Sequence, residues 1–167
     1  MASSGLVERL RFGADDPARV VAAMTRIAAA RDGWINLLPV LAGDDPEADE
    51  DRPASLRFWT LLGGGGSGLT MGTWVPAAPG QRGRERPSLG LSHRAGRRAL
   101  GELAARAVVV PEGWVVEQDH PRRGLVLRPS TDASHEAVLA FALRALGSLA
   151  PAGIRSWRAD VHLPAAT

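Results

Sequence analysis

Residues 134–149 read SHEAVLAFALRALGSL, and residues 157–163 read WRADVHL. The first stretch opens at Ser134 and carries His135 and Glu136 in its first turn, where the helix dipole favours an acid. Val138, Leu139, Ala142, Leu143, Leu146 and Leu149 then recur every three or four residues, the wide apolar face of a buried helix. In the second stretch the period drops to two. Trp157, Ala159, Val161 and Leu163 fall on one side of a strand, and Asp160 and His162 share the other. A helix of that kind beside such a strand predicts helices packed on one face of a sheet.

Reading back from this pair, Leu125–Arg128 and Trp114–Gln118 form a hairpin around HPRRG. Arg94–Ala107 is a helix with Leu100, Leu103, Ala104 and Ala107 inward, and Ser88–Leu91 is a short strand. The order from Ser88 onward is β-α-β-β-α-β, the ferredoxin-like pattern. That pattern serves many functions and names none.

The N-terminal part has a strand at 6–12 and a helix start at Asp15, Asp16 and Pro17. Val20, Met24, Ile27 and Ala28 mark one helix face up to Arg31, and Gly33 closes the helix. Trp34–Leu41 is a buried strand interrupted by Pro39. Leu56–Leu62 and Leu69–Val75 read as a hairpin joined by GGGGSG. The expectation is one α+β domain over 1–167, with a mainly antiparallel sheet and three helices on it. Its halves, 1–76 and 88–167, are joined by a Pro/Gly/Arg-rich loop, the first half read as a degenerate copy of the ferredoxin-like second. Strands led by Trp34, Trp114 and Trp157 each follow a helix, and all five tryptophans fall in predicted strands. Indole rings lining the sheet beneath the helices explain this most simply.

Composition excludes more than it asserts. The chain has 167 residues, 45% hydrophobic and 23% charged, within the ordinary range for a globular domain. No apolar run approaches the ~20 residues that span a bilayer, and Glu8, Arg9 and Arg11 break any signal-peptide core, so a cytoplasmic, membrane-free protein is expected. Lysine, cysteine and tyrosine do not occur, and arginine supplies every basic side chain, the codon bias of a GC-rich bacterial genome. Without lysine there is no Schiff base and no P-loop lysine. Without cysteine there is no thiol nucleophile, disulfide, thiolate zinc site or iron–sulfur cluster. The pI of 10.7 overstates basicity: the net charge is only +2, and nothing titrates between the α-amino group and arginine.

Candidate sites are few. Gly63–Gly68 satisfies a dinucleotide fingerprint only trivially, because a strand follows it where an anion-binding helix is required. The six carboxylates between Asp44 and Asp51 lack the glycine and terminal glutamate of a calcium loop. Arg82, Arg84, Arg86, Arg94, Arg97 and Arg98 form a basic cluster whose guanidinium forks suit phosphate or carboxylate, with no aromatic residues interleaved for stacking on bases. His120, Asp160 and His162 are the first choice for a polar cluster, although no nucleophile elbow accompanies them. No catalytic residue, metal ligand or cofactor is assigned. The expected function is a non-enzymatic interaction or ligand-binding module that self-associates as a homodimer, its small-molecule ligand unknown. Anion or nucleic-acid binding by the arginines is the alternative, and a weak hydrolase comes third.

Overall fold

The computed structural model describes residues 7–41, 70–93, 96–150 and 153–163. Seven strands form one sheet: β1 (Val7–Phe12), β2 (Trp34–Leu41), β3 (Met71–Val75), β4 (Ser88–Ser92), β5 (Val115–His120), β6 (Gly124–Arg128) and β7 (Ile154–His162). Their spatial order is β1-β7-β2-β3-β4-β6-β5, and every neighbouring pair is antiparallel. Three helices accompany them among the described residues: α1 (Ala18–Ala30), α2 (Ala99–Ala104) and α3 (His135–Leu149). The class is therefore α+β.

Period-two alternation sets the core. Paired residues on adjacent strands share a face, so Leu10, Phe12, Ala159, Val161, Ile35, Leu37, Trp74, Leu89, Leu91, Leu125 and Leu127 line one side of the sheet. Those residues join one buried cluster with Val20, Met24 and Ile27 of α1, Leu103 of α2, and Phe141 and Leu146 of α3. All three helices cover that one face. Ser134 caps α3, its hydroxyl accepting from the Ala137 amide at 3.1 Å.

Helix α1 begins and ends differently from expectation. Pro17 holds the cap position, and no side chain bonds the free amides there. At the other end Arg31, at φ 56°, turns the chain left-handed, two residues before the expected glycine. Gly33 has another task. At φ +91° it lies so close to the His162 carbonyl that a methyl group would collide with it. Helix α2 is one and a half turns long rather than the fourteen residues expected from Arg94 to Ala107. Ala107, at φ 57°, ends the turn that follows it.

Two topological expectations change. Both edges of β3 are taken, by β2 and by β4, so β3 cannot pair with 56–62 in a hairpin. The segment 56–62 and the glycine run lie outside the described residues. In a ferredoxin-like order β7 would lie beside β4, but β2 and β3 stand between them. What remains of the pattern is β4-α2-β5 with β6 inserted between its strands. In the N-terminal half the strand inserted between β1 and β2 is β7, from the other end of the chain. A degenerate copy would use its own third strand there. Pairing partners far apart in sequence replaced local ones, a choice that alternation within a strand does not encode.

Candidate functional site

The face that carries none of the described helices holds the polar chemistry. On β7, Arg158, Asp160 and His162 point away from the helices, and each is buried. Opposite Asp160 on β2 lies Asn36, which is wholly buried, and opposite Asn36 on β3 lies Thr73. The Thr73 hydroxyl donates to Asn36 Oδ1 at 2.8 Å, and Asn36 Nδ2 lies 3.3 Å from His162 Nε2. Trp34, paired with His162 in register, stacks on its imidazole with 4.5 Å between ring centres and 10° between planes. Asp160 takes Arg158 Nε at 3.1 Å and Arg9 Nε at 3.8 Å. Arg9 comes from β1, so four adjacent strands contribute to one network.

Burying such groups is costly unless they are bonded to one another, and each bond here fixes which strands lie side by side. Sequence reading paired Asp160 with His162 but missed Asn36, Thr73, Arg9, Arg158 and Trp34. The signal was present in WINLLPVL, where one amide interrupts a run otherwise fit for complete burial. Trp34 also departs from the expected role of the indoles. Trp74 and Trp157 are buried on the helix side, and Trp114 meets Phe141 of α3 edge-on at 5.1 Å, whereas Trp34 serves the opposite face. Trp59 lies outside the described residues.

His120 does not join this cluster. It closes β5, five strand positions from β7, which at ~4.8 Å per strand is roughly 24 Å away. Its Nδ1 instead accepts from the Arg122 and Arg123 amides, at 3.1 and 3.2 Å. His135 faces Thr25 of α1, with Oγ1 to Nδ1 at 3.0 Å, and meets Trp74 edge-on. His93 is buried just beyond β4, and burial holds its pKa below the ordinary 6.5, against the pull of Asp119 and Glu102. Among the described residues no three His, Asp or Glu side chains are grouped to hold a metal ion.

The arginine cluster divides. Arg82, Arg84 and Arg86 sit in the loop after β3, at the Val75–Ser88 end of the β3–β4 hairpin, and Arg97 and Arg98 follow the opposite end. Five residues of β4, at ~3.3 Å each, separate the two groups. Arg94 lies outside the described residues, as does the acidic stretch 44–51. At the first end Arg128 Nε meets Glu117 Oε1 at 2.8 Å, and a shallow pocket of about 300 Å³ is lined by Gly83, Glu85, Arg86, Glu117 and Arg128. Arg84 is turned to main-chain carbonyls, those of Arg31 at 3.4 Å and Pro76 at 3.5 Å. At the second end Arg97 and Arg98 are exposed near the equally exposed Arg122 and Arg123 of the β5–β6 turn. Comparison with protein-family models, with curated proteins and with solved structures finds no match to this chain.

Proposed function

We propose that this protein is a non-enzymatic interaction module that pairs with a second copy of itself through the outer edge of β5. One observation carries the reading. Of the four large hydrophobic side chains exposed among the described residues, two lie on β5, Val115 at 48% and Val116 at 41%, and a third, Val109 at 74%, lies on the segment that leads into it. Val108 and Val110 pack on the core, so Val109 alternates outward from the segment that leads into β5. Among the described residues strand β5 has one neighbour, β6, and its other side keeps a row of main-chain donors and acceptors unpaired within the sheet. Natural sheets protect such an edge with charge and bulges; β5 has Glu117 and a register shift between Val116 and Gln118, but it opens with two exposed valines.

Antiparallel pairing of two β5 edges satisfies both liabilities. Sedimentation equilibrium tests this reading. The wild-type chain is expected at twice its monomer mass of 17.6 kDa, and Val115→Arg combined with Val116→Glu at the monomer mass with unchanged circular dichroism. A wild-type chain that stays monomeric at high concentration overturns the proposal.

A further inference from the structure

We infer that the end of the sheet carrying Arg97, Arg98, Arg122 and Arg123 is a docking site for the phosphodiester backbone of nucleic acid. The two arginine pairs are 24 residues apart in sequence, and one hydrogen bond brings them together. The Ala99 amide, first in α2, donates to Asp119 Oδ1 at 2.8 Å. That bond fastens the start of α2, and Arg97 and Arg98 just before it, to the last turn-ward residues of β5.

The neighbouring turn is held from within. His120 Nδ1 accepts from both arginine amides, and Gln118 Nε2 donates to the carbonyls of Arg123 at 3.1 Å and Gly124 at 3.3 Å. Gly124, at φ +83°, presses against the Leu91 carbonyl and locks the turn to β4. With the main chain so bonded, the two guanidinium groups are presented outward from a rigid base.

Charge at this end is only partly offset: four arginines stand against Asp119, which binds the Ala99 amide, and Glu102. Among the described residues Arg98, Arg122 and Arg123 make no ion pair, and Arg97 reaches Glu102 only at 3.6 Å with its side chain 80% exposed. A contact that open contributes little. The other end of the same hairpin sets as many arginines against two glutamates, but there Arg128 is paired with Glu117 at 2.8 Å and Arg84 is turned to main-chain carbonyls.

The kind of partner follows from what the patch lacks. The exposed valines lie toward the opposite end of β5, so a protein partner would find no apolar centre to bury here. Among the described residues no exposed aromatic ring stands by these four arginines for a base to stack on, since the His120 imidazole is tied to the turn amides. Guanidinium forks without stacking or apolar contacts suit phosphate oxygens, bound without regard to sequence.

Fluorescence anisotropy of a short labelled DNA duplex, titrated with the full chain across a range of salt, tests the assignment. Binding is expected at low salt, with log K falling linearly in log salt concentration. Arg122→Gln with Arg123→Gln should reduce that slope by about 2, and Arg82→Gln with Arg86→Gln should leave it unchanged. Should the first variant fold poorly by circular dichroism, Arg97→Gln with Arg98→Gln serves in its place with the same expectation. Absence of binding at low salt overturns the assignment. So does equal loss in both double variants, which would mean diffuse charge, or binding to phosphatidylserine vesicles without binding to the duplex.

Discussion

Asn36 on β2 and His162 on β7 meet side chain to side chain, Nδ2 to Nε2 at 3.3 Å, on the sheet face that carries none of the described helices. Because Asn36 Oδ1 accepts from Thr73, its amide nitrogen is the group turned toward the imidazole. A donor facing Nε2 predicts that nitrogen as the acceptor, with the ring proton on Nδ1. Asn36 is thus the link between β3 and β7, two strands that do not touch.

Replacing Asn36 by Leu, close in volume but without polar atoms, strands the Thr73 hydroxyl and the His162 nitrogen in a buried site. The expected loss is roughly 2–4 kcal/mol in urea unfolding, against about 1 kcal/mol for Thr73→Val. Nitrogen-15 chemical shifts of the histidine ring report the tautomer directly. A proton found on Nε2 at neutral pH would contradict the arrangement.

Three glycines share nearly the same backbone angle and separate strain from collision. Gly33, Gly80 and Gly124 have φ of +91°, +92° and +83°. An added methyl at Gly80 meets nothing, while at Gly33 and Gly124 it strikes the carbonyl oxygens of His162 and Leu91. Gly80→Ala should therefore cost about 1–2 kcal/mol, the left-handed penalty alone. Gly33→Ala and Gly124→Ala should exceed that by several kcal/mol, because the oxygens they strike belong to sheet main chain and cannot step aside. Equal thermal midpoints for the three variants would refute this.

Stability should also depend on His93 in a direction fixed by its environment. Burial lowers its pKa in the folded chain below 6.5, with Asp119 and Glu102 opposing in part, and burial lowers that of His135 in the same sense. As pH falls, the unfolded chain takes up these protons first. The folded state therefore holds its full advantage above about pH 6.5 and loses it as pH drops from there toward the folded pKa, by at most about 1.4 kcal/mol per pH unit for each histidine. Urea midpoints should fall between about pH 7.5 and 5.5, and His93→Gln should flatten the decline. A midpoint that rises on acidification through this range defeats the argument.

Local patterns carried the elements. The period of Val138, Leu139, Ala142 and Leu146 gave α3 to within a residue, and WINLLPVL gave β2 at its observed ends. These follow from the side-chain directions of helix and strand, which act within a few residues. Even the shared face of Asp160 and His162 needed nothing more than alternation.

Strand order, however, is decided by which apolar faces and buried polar groups satisfy one another at long range. Nothing inside WRADVHL says that β1 and β2 will flank it, that Asn36 will reach its histidine, or that Arg9 will reach its aspartate. Nor does the run of arginines from 82 to 98 reveal that β4 divides it, or that Asp119 draws Arg97 and Arg98 beside Arg122 and Arg123. A sequence alone fixed the period and polarity of each segment here. Only the folded sheet, whose hydrogen bonds join residues more than a hundred positions apart, fixed which polar groups became neighbours.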